Sequence, residues 1–249
     1  MVYPKGDRIV CTGSDRILAP PSLEPRSFRE YLYANSNLTW CLYSLELKND
    51  GKDLAEALSG PPASVIAVSD GSFKDTFGTA AWTIGTEQDG QLIAGRAVCP
   101  GGSEHQSSYR SELTGLYVIL AMTYQLCLYY RIEAGQIEIG CDGLSALQTA
   151  LESFPSLSTD VPDYDLLGAI FHLRRLSKIT WSYRHVKGHQ DDQSSDLNLW
   201  AQHNIKMDQW AKNHIQIAKH SSRHFNIPGE PWQLWAKDKK VTKHITYII

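Results

Sequence analysis

Four carboxylic acids occupy positions from which a fold can bring them to one point. Two of them follow apolar runs that are typical of buried strands, and two lie in helical stretches. They are Asp70, Glu112, Asp142 and Asp208. Crowded carboxylates repel one another, and their pKa values rise unless cations neutralise the charge. Mg²⁺ prefers such oxygen ligands, and two ions about 4 Å apart activate a water and stabilise the leaving oxygen of a phosphoryl displacement.

Each of these acids also has a plain structural explanation when it is taken alone. Asp70 and Asp142 both precede a glycine, and Asp-Gly is a common turn dipeptide. Glu112 near a helix start interacts favourably with the helix dipole in any protein, and Asp208 is the kind of residue that a solvated helix carries. The order of the four acids along predicted elements is therefore more informative than any one of them.

The elements that must position these acids begin at Ser64. SVIAVSDGS predicts a buried strand ending at Asp70, and FGTAAWTIGTE and QLIAGRAVC predict two more strands. Their short connections favour an antiparallel meander. A long helix follows over SSYRSELTGLYVILAMTYQLCLYYR, with an apolar stripe at helical spacing.

The second half of this region alternates helices and strands. GQIEIGCD predicts a fourth strand ending at Asp142, GLSALQTALES and DYDLLGAIFHLRRLS predict helices, KITWSYRHVKGH a fifth strand, and LNLWAQHNIKMDQWAKNHIQIAK a last helix. The order β-β-β-α-β-α-α-β-α implies an α/β fold with a mixed five-stranded sheet flanked by helices. If the first and fourth strands are neighbours, Asp70 and Asp142 lie side by side at one end of the sheet.

The flanks divide the chain into three expected parts. Residues 1–63 form an N-terminal extension or connection-like segment, in which NLTWCLYSLEL (37–47) is strand-forming and a Gly-Pro-Pro stop marks the boundary. Residues 64–220 form the main domain. Residues 221–249 form a C-terminal extension that resumes strand-like character.

Composition limits the class of protein. The net charge of −3 gives no whole-chain attraction for nucleic acid, although a local basic surface can still face an acidic site. The cysteines are scattered and never spaced as Cys-x-x-Cys, which argues against a disulfide framework or a zinc ribbon. The chain starts without an apolar leader, and the apolar stretch 116–130 is interrupted by Thr123 and Gln125. We expect an intracellular protein, in the cytoplasm or nucleus, with no membrane partner.

Four motifs together carry a family resemblance. SDGS (69–72), YRSELTGL (109–116), GCDGLSAL (140–147) and HVKGHQ followed by HNIKMDQWAK resemble the successive motifs of type 1 ribonuclease H, in the version attached to reverse transcriptases of retroelements. The resemblance covers residues 64–219, and all four acids match the family's carboxylates, at spacings of 42, 30 and 66 residues.

The resemblance implies an activity, a cofactor and partners. The expected fold is ribonuclease H-like, and the expected reaction is endonucleolytic hydrolysis of the RNA strand of an RNA–DNA hybrid. Two Mg²⁺ ions held by the four carboxylates are the implied cofactor, with Mn²⁺ as a substitute. A reverse transcriptase module or another polyprotein neighbour is the implied protein partner.

The resemblance also assigns roles to residues around the acids. It implies that His189, preceded by the hinge-like Gly188, aids protonation and product release from a mobile loop; the alternative is an exposed loop residue. His185 lies in the predicted strand and is expected to be structural. Asn204 precedes Asp208 by one helical turn, on the same face, and is positioned to orient a metal-bound water or phosphate.

Minor-groove recognition of the hybrid is implied at two places. Gly71 and Ser72 follow the first acid, and Ser108 and Tyr109 precede the second. Many relatives have asparagines before the helical glutamate, whereas this chain has Ser-Tyr-Arg at 108–110. Ser108 is equally readable as the N-cap of the long helix.

Two other functions use similar sequence features. A catalytically inactive ribonuclease H-like remnant would act as a nucleic-acid-binding or scaffold domain, but such a domain has no need of a repulsive acidic cluster. An integrase or transposase of related fold has no reason for the early helical Glu112, which disfavours that assignment.

Overall fold

The computed structural model describes residues 9–13, 26–60, 64–152, 161–188, 197–230, 232–236 and 239–242. The strands are β1 (Ile9–Gly13), β2 (Tyr43–Leu47), β3 (Val65–Lys74), β4 (Phe77–Thr86), β5 (Gly90–Val98), β6 (Gly135–Cys141), β7 (Ile179–His185), β8 (Trp232–Ala236) and β9 (Lys239–Val241). The α-helices are α1 (Phe28–Ala34), α2 (Lys52–Ser59), α3 (Ser108–Tyr130), α4 (Leu144–Leu151), α5 (Tyr164–Leu176) and α6 (Leu199–Ala218).

The main sheet has six strands in the order β2-β5-β4-β3-β6-β7. The meander β3-β4-β5 is antiparallel, and β6 and β7 run parallel to β3 and to each other. The five strands that the sequence predicts are therefore present with the expected mixed topology, and an α/β fold with a mixed sheet flanked by helices is confirmed. β3 and β6 are neighbours, and their pairing stops at Val68 opposite Gly140. We expected the first strand to end at Asp70, but β3 continues to Lys74, because residues 69–74 still pair with β4. Asp70 and Asp142 both lie two residues beyond the last pair between β3 and β6.

The sixth strand comes from the N-terminal segment. We expected an extended run over residues 37–47, but only Tyr43–Leu47 is a strand, and Ser36–Cys41 is a 3₁₀ helix. The side chain of Asn35 accepts a hydrogen bond from the Asn37 amide and starts this turn. The aromatic and branched residues that suggested a strand instead serve burial, because Trp40 lies between the rings of Tyr117 and Phe225.

The two faces of the sheet have separate cores. The larger core joins α3 to residues of the N-terminal segment such as Phe28, Leu32 and Leu38, which are almost fully buried. The smaller core lies under α6, where Trp200 and Met207 pack on the strands. The sheet is thus covered by α3 on one face and by α6 on the other.

The long helix α3 is a core element. By length and composition alone it could cross a membrane, but 78% of its apolar window is buried inside this fold. Its N-cap is Ser107 rather than the expected Ser108, because the extended Ser107 backbone lets its side chain accept a hydrogen bond from the Arg110 amide. Ser108 is exposed in the first turn.

A second sheet, β1-β8-β9, has three strands. Its last two strands correspond to the strand-like pattern of the tail, and β8 pairs antiparallel with β1. The two ends of the described chain therefore meet in one small sheet.

Candidate active site

Asp70 is the buried centre of the candidate site. It lies on β3, opposite Ala81 of β4, and is only 4% exposed. The side-chain amide of Asn204 on α6 donates a hydrogen bond of 3.1 Å to Asp70 Oδ2. The other side-chain atom of this buried amide, Asn204 Oδ1, has no hydrogen-bond partner among the described residues. Asn204 therefore orients one carboxylate and presents an unused acceptor beside it.

Glu112 is held at both of its carboxylate oxygens. The backbone amide of Gly71 donates to Oε1 at 3.0 Å, and the thiol of Cys141 donates to Oε2 at 3.0 Å. The Gly143 amide donates in turn to Cys141 Sγ at 3.3 Å. A Cβ atom on Gly71 would lie 2.6 Å from the Glu112 nitrogen, so only glycine allows β3 and α3 to approach this closely.

Asp142 follows the last residue of β6 and lies beside Glu112. One ligand atom each from Glu112, Cys141 and Asp142 lies within 4.8 Å of the others. The Gly188 backbone approaches the same carboxylate, because a Cβ atom there would lie 2.9 Å from Asp142 Oδ2. The His185 ring donates through Nε2 to the Asp142 carbonyl oxygen at 3.0 Å.

Asp208 lies on α6, one turn after Asn204. Its carboxylate forms an ion pair of 2.6 Å with Lys212, one further turn along the same helix. Lys212 is half-exposed, whereas Asp208 is more deeply placed. Lys212 is therefore a cation at the edge of an otherwise acidic cluster.

The electrostatics show that the four carboxylates act on one another. Burial raises the pKa of Asp70 from 3.8 to about 9, and repulsion from Glu112, Asp142 and Asp208 adds to the rise, while Lys212 opposes it. Burial also raises the pKa of Glu112 from 4.5 to about 7, and repulsion from Asp142 adds to it. The hydrogen bonds from Cys141 and Gly71 lower that pKa in part.

This cluster has the donor set that hard divalent cations require. It offers carboxylate oxygens from β3, from the residue after β6 and from two helices, together with Asn204 Oδ1, which has no hydrogen-bond partner within the described part of the chain. Two of the carboxylates have pKa values raised towards or above neutrality, so positive charge at this point would relieve a repulsion that the protein itself leaves unbalanced. The residues present fit a Mg²⁺ or Mn²⁺ site.

The other residues singled out from the sequence have different surroundings. Gly71 and Ser72 directly follow Asp70 and are half-buried, and the Ser72 carbonyl accepts a hydrogen bond of 3.2 Å from the Ser111 hydroxyl. Ser108 is exposed and Tyr109 half-buried at the start of α3. Their roles towards a substrate stay predictions. His189 lies outside the described residues, and so does its implied role.

Three neighbours of the acids were not assigned to the site from the sequence. Cys141 directly precedes Asp142, and Lys212 follows Asp208 by one helical turn, so both had a positional signal. His185 was expected to be structural, and its ring contacts the backbone of Asp142. Which of these side chains turn towards the acids depends on packing that sequence spacing does not determine.

Comparison with known proteins gave matches among solved structures, including three of low sequence identity. No protein-family model matches the chain, and no curated protein matches it. The structure of LC11-RNase H1 in complex with RNA/DNA hybrid is similar at 12% identity and a TM-score of 0.42, covering 63% of this chain and 99% of that one.

Two further structures show a similar degree of likeness. The protease-reverse transcriptase of prototype foamy virus gives 14% identity and a TM-score of 0.44 over 65% of this chain and 21% of that chain. The RNase H1 of the halophilic archaeon Halobacterium salinarum gives 14% identity and a TM-score of 0.35 over 53% and 91%. These likenesses concern the fold alone.

Proposed function

We propose that this chain is a ribonuclease H that hydrolyses the RNA strand of RNA–DNA hybrids at a site for two Mg²⁺ ions. The observation that carries the proposal is the meeting of four carboxylates from β3, α3, the end of β6 and α6. Asp70 experiences repulsion from each of the other three. A protein retains such a cluster at a cost in stability, which divalent cations offset.

Each acid has a stated part in this proposal. Asp70, Glu112, Asp142 and Asp208 would hold the two ions, and Mn²⁺ would substitute for Mg²⁺. When bound, the ions supply an activated water and stabilisation of the leaving oxygen. Asn204 orients Asp70 through the 3.1 Å hydrogen bond. Glu112 is kept in a single orientation by its two donors, Gly71 and Cys141.

The proposed substrate contacts are those that the family resemblance implies. Gly71 and Ser72 lie on the strand that carries Asp70, and Ser108 and Tyr109 lie one turn before Glu112. We propose that these residues contact the minor groove of the hybrid, where 2′-hydroxyl groups distinguish RNA from DNA. His189 is proposed to aid protonation and product release, as the family resemblance implies.

A retroelement origin and a reverse transcriptase neighbour are part of the proposal. They are supported by the sequence motifs alone. Hybrid binding by the isolated chain, compared with binding by the chain joined to a polymerase module, would test whether such a neighbour adds affinity.

The decisive experiment is cleavage of an end-labelled RNA–DNA hybrid by the whole chain. We expect cleavage in Mg²⁺ or Mn²⁺, none in EDTA, and none of duplex DNA. The Asp142→Asn variant should lose at least about a hundredfold in rate, because the site then lacks one anionic ligand. Asp75→Asn, which changes an exposed acid paired with Lys219, is the matched control and should cleave normally.

The alternative function has a distinct signature in the same assay. A folded wild-type chain that binds the hybrid but never cleaves it, in either metal, would overturn the proposed activity. That result would favour the inactive scaffold. Equal activity of Asp142→Asn and wild type would show that cleavage arises elsewhere.

A further inference from the structure

A second group of ionisable side chains is buried at the start of α3, directed away from the acidic cluster. It contains two cations and three carboxyl groups, all at most 10% exposed at the side chain. They are Arg110, Lys240, Asp163, Asp165 and Glu230. Charges this deeply buried are stable only when they are paired and hydrogen-bonded.

Arg110 is the centre of this group. Its guanidinium donates to Asp163 Oδ1 at 2.7 Å and to both oxygens of Asp165 at 2.8 and 2.6 Å. Its Nε donates to the Pro100 carbonyl at 2.7 Å. These bonds tie the first turn of α3 to the start of α5 and to the loop before α3. Bidentate pairing of this kind fixes orientation as well as position.

Lys240 brings the small sheet into the same network. It lies on β9 and is 1% exposed, with its ammonium 2.6 Å from Glu230 and 3.5 Å from Asp165. Burial raises the pKa of Glu230 from 4.5 to about 7, and Lys240 opposes that rise. Lys240 is therefore the group that balances a local excess of carboxyl groups around Arg110 and Asp165.

Further bonds join the C-terminal segment to the loop before α3. Thr242 Oγ1 and the His105 ring are 2.7 Å apart, and the Gly101 amide donates to the Arg223 carbonyl at 2.7 Å. Gly101 has a φ of +101°, and a Cβ atom there would meet both Arg110 and Thr242. The small sheet thus packs directly on the segment that leads into α3.

The geometry of α3 connects this network to the candidate site. Arg110 and Glu112 lie in the same helical stretch and point in different directions, Arg110 into the buried network and Glu112 towards Gly71 and Cys141. A Cβ atom on Gly71 would lie 2.6 Å from the Glu112 nitrogen, so β3 and the start of α3 are in close contact. Because Arg110 and Glu112 lie two residues apart at the start of α3, we expect a change in the anchoring of Arg110 to displace the Glu112 backbone.

We propose that Lys240 is a positioning residue for Glu112, acting through Asp165 and Arg110. In this proposal the β1-β8-β9 sheet holds the first turns of α3 in the position that metal binding requires. This inference rests on the proposed function, because the helix start that is held in place carries a residue of the same site. It makes the C-terminal segment a working part of the enzyme. The rigidity of the first turns of α3 is a property of the fold, and it can be measured without any cleavage assay.

The test compares Lys240→Met with Lys178→Met, a matched change of an exposed lysine that pairs with Glu133. Amide hydrogen exchange over residues 110–115 should accelerate at least about tenfold in Lys240→Met, relative to amides in β4. Mg²⁺ binding measured by calorimetry on the folded protein should weaken by roughly tenfold, the size that loss of a supporting contact gives at metal sites. Lys178→Met should change neither quantity.

A double variant keeps the test valid if Lys240→Met alone fails to fold. Lys240→Met combined with Glu230→Gln removes one charge of each sign, so it should fold even if the single variant does not. It should still show the faster exchange at residues 110–115 and the weaker Mg²⁺ binding. If either folded variant is merely less heat-stable, with exchange at α3 and Mg²⁺ affinity unchanged, Lys240 has only a general structural role and the proposal is wrong.

The two proposals fail in different ways. A wild-type chain that cleaves no hybrid contradicts the ribonuclease assignment, while the exchange measurement still decides whether Lys240 holds α3. If the wild type cleaves the hybrid but hydrogen exchange in α3 is unchanged in both variants, only the proposed role of Lys240 is contradicted.

Discussion

The thiol of Cys141 donates a hydrogen bond to Glu112 Oε2 across 3.0 Å, and so joins the last residue of β6 to the first turns of α3. Gly71 holds the other oxygen of the same carboxylate. Two neighbouring strands therefore determine how one helical side chain points. This arrangement has consequences that mutagenesis can measure.

Removal of the thiol should loosen Glu112. We expect Cys141→Ala to weaken Mg²⁺-dependent hybrid cleavage by roughly tenfold, since a supporting hydrogen bond to a ligand is lost. Cys141→Ser retains a donor and should recover most of the rate. Cys127→Ala, at a buried cysteine elsewhere on α3, is the control. Identical Mg²⁺ titrations for Cys141→Ala and wild type would contradict this role for the thiol.

Removal of one acid should stabilise the metal-free protein. The pKa of Asp70 is raised from 3.8 to about 9 in the fold, so the folded state holds a proton that the unfolded state releases. Wild-type stability should therefore fall as the pH rises through this range. We expect Asp70→Asn to be more stable by on the order of 2 kcal/mol at pH 8 in EDTA, with no difference below pH 4.

Urea unfolding at several pH values measures this effect. Added Mg²⁺ should reduce the difference, because it stabilises only the chain that retains all four acids. Asp75→Asn serves again as the control, since that acid is exposed. If Asp70→Asn is less stable than the wild type at pH 8, the negative charge of the carboxylate cluster is already neutralised by other groups of the protein, and this prediction is wrong.

The close approach at Gly71 should tolerate no larger residue. A Cβ atom would lie 2.6 Å from the Glu112 nitrogen and 2.7 Å from the Ser111 carbonyl carbon. Backbone atoms cannot move aside as a flexible side chain does, so Gly71→Ala should cost about 1–3 kcal/mol. It should also weaken Mg²⁺ binding, because it separates β3 from α3.

Thermal unfolding and calorimetric Mg²⁺ titration would measure the two effects of Gly71→Ala. Gly90→Asn is the matched control, because Gly90 has open space around it and asparagine tolerates its positive φ. Equal stability of Gly71→Ala and wild type would mean that the two elements are farther apart than described.

The N-terminal segment should be indispensable for stability. Trp40 is 3% exposed and stacks between Tyr117 of α3 and Phe225. Trp40→Ala should therefore cost about 3–5 kcal/mol in the free energy of unfolding. Tyr33→Ala, at a ring that is 46% exposed, should cost less than about 1 kcal/mol. If a chain starting at residue 64 is as stable as the whole protein, the N-terminal segment does not contribute to stability and this prediction is wrong.

Much of the fold was predictable because its elements have strong periodicity. The apolar stripe of α3 and the short links between β3, β4 and β5 predicted both the helix and the meander. The 3₁₀ turn at Ser36–Cys41 was not predictable in this way. Trp40 and Leu38 are residue types that also favour strands, but here they fill the buried core from a helical turn. The cap at Ser107 differs by one residue from the expected Ser108, since adjacent serines satisfy the same pattern.

The neighbours of the acids were harder to predict than the acids. Asp70 and Asp142 both lie just beyond the stretch over which β3 and β6 pair, and a parallel strand pair places such positions side by side. The partners of these acids come from packing, as when Asn204 crosses from α6 to reach Asp70. The buried Lys240 gave no signal at all, because a lysine in a polar tail is usually solvated.

The pairing of β1 with β8 joins segments from opposite ends of the sequence. Closing so long a loop costs more chain entropy than forming the meander β3-β4-β5, whose contacts are local. The small sheet should therefore assemble late during folding, after the main core is in place. The newly folded chain would then pass through a state with a complete central sheet and an unanchored Arg110, and it would gain full metal affinity only in the last kinetic phase.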